Sequence, residues 1–190
     1  PPLRNMSMPD LSELSQSSGL HKPSNLIKDN QIVDNDWQIV AKDADSSDVK
    51  FSIDDAAGQL LLPLALWLEH AEQLKNSKTI GVWLDSDESP EPLETLCESI
   101  PVIAVNFPVF ADGRGYSYAR TLRDYYNYSG DLRAIGDVLH DQMYFYKRCG
   151  FSSYLIREDA NAEKALAGLN DFSADYQAGS DESKPIFHKR

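Results

Sequence analysis

Hydrophobic residues in the middle of the chain occur in short runs that alternate with amphipathic segments. Four runs have the length and composition of buried strands: 79–86, 101–110, 131–136 and 152–156. Each run is followed by a segment with helical periodicity: 89–100, 115–127, 137–150 and 159–169. This alternation predicts a mainly parallel sheet of about four strands with helices on both faces, which is a three-layer α/β domain.

The same alternation also fits a partial (βα) barrel, because periodicity does not distinguish an open sheet from a curled one. The four strand–helix units lie within about 90 residues, and a complete barrel needs eight. The open three-layer sheet is therefore the first expectation, and the partial barrel is the alternative.

The residues before the first of these strands predict two further features. The segments 36–41 (DWQIVA) and 49–53 (VKFSI) alternate like strands, which predicts a small antiparallel β pair ahead of the main sheet. From Asp54 to Leu74, apolar residues at helical spacing predict an amphipathic helix.

The composition along the chain indicates one domain with two flanking segments. Residues 1–30 are rich in Ser, Pro and Asn, which is typical of a flexible segment. Residues 31–170 contain the β pair and the strand–helix units, and they form the predicted single α/β domain. Residues 171–190 are predicted to be a polar C-terminal tail.

Charge and cysteine content narrow the classes of function. The chain has 30 acidic and 18 basic residues, giving a formal charge of −12, so binding to nucleic acid or to anionic membranes is not expected. The longest apolar run, 60–68, is interrupted by Pro63 and is too short to cross a bilayer. The two cysteines form no CxxC motif and the N-terminus lacks a signal-peptide pattern, which favours a cytoplasmic protein with reduced thiols.

Polar residues that follow the predicted strands indicate where a site would lie. In open α/β sheets, ligands bind beyond the carboxyl ends of the strands. The residues selected by this rule come from four places in the sequence and should converge in space: Asp85, Ser86, Asn106, Phe107, Gly136, Asp137 and Arg157.

The loop after the second strand reads Asp112-Gly113-Arg114-Gly115 and has the features of an anion site. The two glycines permit positive φ and a close approach of the backbone, and the helix predicted to begin near Tyr116 or Ser117 would direct its free amides at the same crevice. Arg114 could then contact an oxyanion through its planar guanidinium. The alternative is an ordinary turn in which Arg114 pairs with Asp112 or Asp137.

Other charged residues near this loop are candidates of different kinds. Arg120 would extend the anion site along the helix, although a surface ion pair is the default for both Arg120 and Arg123. Arg133 precedes Gly136 and would support the crevice. The candidates for acid–base chemistry are Asp137, His140 and Asp141. The four histidines have no metal-ligand spacing, and no motif for a redox cofactor is present.

Several stretches together resemble a bacterial family of unknown function whose members often carry the label of an oxidoreductase in sulfite reduction. The stretches are GQLLLPLALWL, VWLDSDESPEPL, IPVIAVNFPVFADGRGYSYARTLRD, GDLRAIGDVLHDQMYFYKRCGF and PIFHKR, so the resemblance covers about residues 54–190. The positions that match the family and have site chemistry are Asn106, Asp112, Gly113, Arg114, Gly115, Ser117, Arg120, Arg133, Gly136, Asp137, Asp141 and Gln142.

The resemblance implies a pathway more than a reaction. It associates the chain with sulfur assimilation and cysteine biosynthesis, at or beside sulfite reduction. The absence of a cofactor motif favours an accessory protein whose partner is sulfite reductase or its electron donor over an oxidoreductase with its own cofactor. The other hypothesis is an enzyme or sensor that binds a small oxyanion at residues 112–117 without redox chemistry.

Overall fold

A computed structural model describes residues 25–47, 58–109 and 111–170 of the chain. Within these residues there are eight strands: β1 Leu26–Lys28, β2 Gln31–Val33, β3 Trp37–Ile39, β4 Gln59–Pro63, β5 Ile80–Leu84, β6 Val102–Phe107, β7 Asp131–Gly136 and β8 Ser153–Leu155. They also contain five α-helices: α1 Leu64–Glu69, α2 Ala71–Leu74, α3 Arg114–Arg120, α4 Met143–Cys149 and α5 Ala162–Gly168. A π-helical turn, Thr121–Tyr125, extends α3.

The eight strands form one mixed sheet in the order β2-β1-β8-β7-β6-β5-β4-β3. Neighbouring strands from β3 to β8 are parallel, whereas β1 runs antiparallel to both β8 and β2. Asp29 and Asn30 connect β1 to β2 with positive φ angles of 51° and 60°, which are typical of a tight hairpin turn. The prediction of about four strands is therefore too low, since edge strands of three residues give little periodic signal.

The order of the strands requires a strongly curled sheet. β2 and β3 lie at opposite edges, yet only residues 34–36 connect them. Four Cα–Cα steps of about 3.8 Å span at most about 15 Å. A flat sheet would separate its first and eighth strands by about 34 Å. The sheet is consequently a curled half-barrel, which confirms the barrel alternative over the open three-layer sheet.

A contact across the interior supports the same conclusion. The guanidinium carbon of Arg133 on β7 lies 5.9 Å from the ring centre of Trp37 on β3, although three strands separate these two in the sheet. The pair closes a network in which Arg133 donates to Asp131 at 2.9 Å and to Ser153 at 3.0 Å. Arg133 is only 2% exposed, so its charge is neutralised inside the curled sheet.

The two faces of the sheet have different cores. Each of the five helices contributes to a large cluster on the outer face, which includes Trp67, Phe107 and Tyr146. The inner face carries a small cluster: Leu61, Trp83, Val102, Ala104 and Ile135. None of the described helices contributes to the inner cluster, so the prediction of helices on both faces is wrong for this part of the chain.

Two predicted helices have a different structure. The stretch predicted as a helix from Asp54 to Leu74 contains β4, and α1 begins only after Pro63. A strand buried on both faces is continuously apolar, so Leu60–Leu62 also satisfied the helical pattern. The stretch 89–100 forms two 3₁₀ turns, Glu91–Leu93 and Cys97–Ser99, instead of an α-helix.

The predicted N-terminal β pair is also different. Trp37–Ile39 pairs in parallel with β4, and its expected partner at 49–53 lies outside the described residues. The predicted tail at 171–190 and most of the predicted flexible segment at 1–30 lie outside them as well, while Leu26–Lys28 is a strand. None of the described helices is long and apolar enough to span a membrane.

Candidate functional site

The carboxyl ends of β3, β5 and β6 place three polar side chains together at the mouth of the curled sheet. Asn106 donates through Nδ2 to Oδ1 of Asp85 at 3.0 Å, and Lys42 donates through Nζ to Oδ2 of the same carboxylate at 2.9 Å. Asn106 shares the inner face of β6 with Val102 and Ala104, so strand alternation directs its amide into the mouth. The expected convergence of Asp85 and Asn106 is therefore observed.

Of the two polar atoms of the Asn106 side chain, only Nδ2 makes a hydrogen bond to a described residue. The residue is 8% exposed, and its Oδ1 accepts no hydrogen bond from the described residues. Gly136 on the neighbouring strand leaves room for it: a Cβ at Gly136 would lie 2.4 Å from Oδ1. Gly136 also has a φ of +91°, which favours glycine.

Lys42 bridges three carboxylates and was not identified from the sequence. Its ammonium lies 2.9 Å from Asp85, 3.2 Å from Asp87 and 3.8 Å from Glu88. The hydrogen bond to Asp85 is the main cause that raises the pKa of Lys42, so this side chain is a cation at neutral pH. The available signal was a lysine directly after the strand-like segment DWQIVA.

The carboxylate of Asp85 is ionised in this arrangement. Partial burial would raise its pKa, but the hydrogen bonds from Lys42 and Asn106 and from the backbone amide of Ser86 lower it below the usual value. Asp85 is thus an acceptor in the mouth of the sheet, with three donors fixing its orientation.

Arg114 lies next to this group and is held by Asp112. Nε and Nη2 of Arg114 donate to the two carboxylate oxygens of Asp112 at 3.0 and 2.7 Å, and Nη2 also donates to Oγ of Ser86 at 3.1 Å. This pairing is the turn alternative considered for the loop. The same arginine lowers the pKa of Asp112, so the carboxylate is ionised at neutral pH.

The remaining edge of the Arg114 guanidinium is open. The side chain is 56% exposed, and Nη1 makes no hydrogen bond to the described residues. Arg157, which follows β8, differs in this respect: Nε and Nη2 bind Asp159 while Nη1 binds Asp137. Arg114 can therefore accept a further anionic partner, whereas Arg157 already has two.

The glycines of the loop have other roles than expected. Gly113 has a φ of −84°, so the predicted positive φ is not used there. Gly115 lies against Phe107, whose Cζ would be 2.7 Å from an added Cβ. These glycines consequently fit a helix start and close helix–strand packing, and helix α3 begins at Arg114.

Three further candidate residues, Arg133, Arg120 and Ser117, make no contact with Arg114 among the described hydrogen bonds and ion pairs. Arg133 is directed along the inner face toward Asp131, at the amino end of β7, and so lies far from the mouth. Arg120 pairs with Asp124 at 3.8 Å on the surface of its helix. The Ser117 side chain is exposed there, and its carbonyl accepts from Thr121 at 3.0 Å.

The candidates for acid–base chemistry do not form one group. His140 lies 2.9 Å from Asp141, and both side chains are largely exposed. Asp137 binds Arg157 instead. The hydroxyl of Tyr116 donates to Gln142, which joins α3 to the 3₁₀ turn before α4.

Among the described residues, neither the buried Cys97 nor a metal-ligating cluster adds to the site. Cys97 is buried, and burial raises the pKa of its thiol. In the described ranges, no three His, Cys, Asp or Glu side chains are placed to hold a metal ion together. The mouth is therefore defined by two cations, Lys42 and Arg114, among neighbouring carboxylates.

Comparison with known proteins identifies the family. The sequence model described as "Bacterial protein of unknown function (DUF934)" matches residues 81–187, which is more than half of the chain, so the chain belongs to this family. No curated protein and no solved structure matches it.

Proposed function

We propose that this member of the family binds a small oxyanion at Arg114 and acts at or beside sulfite reduction. The observation that supports binding is the open Nη1 edge of a guanidinium that Asp112 and Ser86 already hold in place. A cation fixed before binding loses little rotamer entropy when an anion arrives, which favours affinity. The ligand would lie at the carboxyl ends of the strands, where barrel-type α/β proteins place their sites.

Sulfite is the ligand that the resemblance to sulfite-reduction proteins favours. The site itself is consistent with any small tetrahedral or pyramidal oxyanion, including sulfate and phosphate, because a guanidinium contacts all of them through paired N–H groups. The neighbouring carboxylates oppose a dianion, so we expect affinities in roughly the millimolar range, near −4 kcal/mol. We assign no electron-transfer step to the chain.

Calorimetric titration of the full chain with sulfite, sulfate and phosphate tests the proposal. Arg114→Ala should weaken binding at least about tenfold, because it removes the cation that contacts the ligand. Arg120→Ala is the matched control: it removes the same charge from the same helix, and it should change affinity less than about twofold. Equal affinity of Arg114→Ala and the wild type for every anion would exclude this site.

The link to sulfite reduction needs a separate test in cells. A strain that lacks the gene should grow on sulfide or cysteine but not on sulfate or sulfite as the sole sulfur source. Growth on sulfite at the wild-type rate would remove the pathway from the proposal and would leave oxyanion binding to be judged by calorimetry alone.

A further inference from the structure

The turn that follows β5 carries a carboxylate next to the Arg114 guanidinium. Oγ of Ser86 accepts from Nη2 of Arg114 at 3.1 Å, and Asp87 is the next residue in the chain. Consecutive Cα atoms lie about 3.8 Å apart, so the backbone of Asp87 lies close to the contact between Ser86 and Arg114. The backbone amide of Glu88 donates to the carbonyl of Asp85 at 3.1 Å and closes the turn. Asp87 is therefore held beside the cation of the proposed site.

The charge of Asp87 acts on both cations of the mouth. The hydrogen bond to Asp112 is the main cause that raises the pKa of Arg114, and attraction by the Asp87 carboxylate adds to it. Oδ1 of Asp87 also lies 3.2 Å from Nζ of Lys42. The Asp87 side chain is 63% exposed, so a ligand can approach this carboxylate from solvent.

The mouth has more negative than positive groups. Its two cations are Lys42 and Arg114. The carboxylates next to them number four: Asp85, Asp87, Glu88 and Asp112. A simple anion at the open Nη1 edge of Arg114 adds to this negative excess, whereas a ligand that also carries an ammonium group offsets its own charge. Coulombic attraction between an ammonium group and these carboxylates acts over several ångströms and needs no hydrogen bond.

We infer that Asp87 is a specificity determinant of the Arg114 site and makes the site favour zwitterionic oxyanions, such as amino acids and aminosulfonates, over simple anions of the same shape. The inference rests on the proposed function, because it names the ligand class of the same site. The oxyanion group of the ligand contacts Arg114, and its ammonium group is attracted by Asp87. Specificity of this kind combines attraction for one ligand with repulsion of its competitor.

Calorimetric titration of the full chain with taurine and with isethionate, at equal and low ionic strength near neutral pH, tests the inference. Both ligands are two-carbon sulfonates, and taurine has an ammonium group where isethionate has a hydroxyl group. The wild type should bind taurine at least about threefold more tightly than isethionate, in line with the energy of exposed ion pairs. Arg114→Ala should weaken the binding of both, since both place a sulfonate on the same cation.

Substitution of Asp87 separates charge selection from a structural effect. Asp87→Asn should bind isethionate at least about twofold more tightly than the wild type does, because a repulsive charge is removed, and its preference for taurine should fall to at most about half of the wild-type ratio. A structural defect would weaken the binding of both ligands instead. Asp124→Asn, which removes the carboxylate paired with Arg120, is the control and should leave both affinities unchanged.

The outcomes distinguish this inference from the proposed function. Equal affinity of the wild type for the two sulfonates, with both weakened by Arg114→Ala, would overturn the inference and leave oxyanion binding intact. A loss of affinity for both sulfonates in Asp87→Asn, or binding of sulfite without binding of either sulfonate, would overturn it as well. The absence of binding by the sulfonates and by sulfite, sulfate and phosphate would instead refute the proposed function.

Discussion

At the scale of single residues, the glycines of the site differ in backbone conformation and in the space around them. Gly113 was predicted to use its conformational freedom, yet its φ is negative and an added Cβ would meet nothing within 4 Å. Gly136, after a strand, has the positive φ and the close neighbour instead. The sequence indicated both glycines as site residues. It could not show which of them has a positive φ, because that angle depends on how two neighbouring strands end side by side.

Gly136→Ala should therefore destabilise the fold by about 2 kcal/mol or more, since the methyl group would clash with Asn106 and Phe107 in a left-handed backbone. Gly113→Ala should change the free energy of unfolding by less than about 0.5 kcal/mol or stabilise slightly. Urea denaturation of both variants measures the difference. Equal effects would show that the backbone at Gly136 is not constrained.

Arg123 illustrates a residue whose role was not visible in the sequence. It was expected on a solvated face, but its guanidinium donates to three backbone carbonyls, those of Tyr128, Gly130 and Gly150. Burial lowers its pKa, although the side chain remains charged. It joins the end of α3 to the turns that precede β7 and β8, which are distant in sequence.

We expect Arg123→Ala to cost about 2–4 kcal/mol of unfolding free energy, because three partly buried carbonyls lose their donor. Arg120→Ala, which breaks only a surface pair, should cost less than about 0.5 kcal/mol. Chemical denaturation of the two variants gives the comparison. A similarly small loss of unfolding free energy in both variants would mean that the Arg123 side chain is solvent-exposed and does not bind these carbonyls.

At the scale of elements, the parallel core was predictable and the edges were not. The strands β5, β6, β7 and β8 all fall within predicted runs, because continuous apolar segments are typical of parallel strands covered on both sides. β1 and β2 have three residues each; β1 falls in the segment predicted to be flexible, and β2 was not predicted as a strand. Asp85 and Asn106 were found because β5 and β6 were found. Lys42 follows β3, which was predicted as a strand but with a different partner.

Hydrogen exchange should follow this division. Backbone amides of β6, such as those of Ile103 and Val105, lie between two parallel neighbours and should exchange only through global unfolding. Amides of the edge strands β2 and β3 should exchange at least about a hundredfold faster, through local opening. Mass spectrometry on peptic fragments measures both. Equal protection of the amides of β6 and of the edge strands would indicate that β2 and β3 are hydrogen-bonded on both sides in solution.

At the scale of the molecule, the curled sheet explains how the chain buries an arginine. Arg133, Asp131 and Trp37 come from both halves of the sheet and meet only because it curls. The sequence allowed a partial barrel, but it could not show the curl, since this depends on which strands form the edges. For the same reason, Arg133, which was expected to support the crevice, is directed at Asp131 and Trp37.

The buried pair predicts a pH dependence of stability. Burial alone would raise the pKa of Asp131, but Arg133, Ser153 and Lys28 lower it overall. A lowered pKa in the folded state adds stability that is complete above the unfolded value of about 4 and is lost as pH falls through the folded value. Asp131→Asn should cost about 3 kcal/mol near pH 6, and the difference from wild type should shrink toward pH 3.

Denaturant titrations at several pH values measure that difference, with Asp124→Asn as the control for a surface carboxylate. A difference between wild type and Asp131→Asn that stays constant from about pH 6 to about pH 3 would mean that Asp131 has an ordinary pKa in the folded protein. The interior would then not contain the ion pair between Asp131 and Arg133.

The central claim, that Arg114 contacts an oxyanion, is tested most directly by nuclear magnetic resonance of the arginine side chains. The Nε–H signal of Arg114, assigned by its loss in Arg114→Lys, should shift saturably as phosphate is added, while the Arg120 signal stays in place. A titration that leaves the Arg114 signal unmoved, at phosphate concentrations where calorimetry detects binding, would contradict the account.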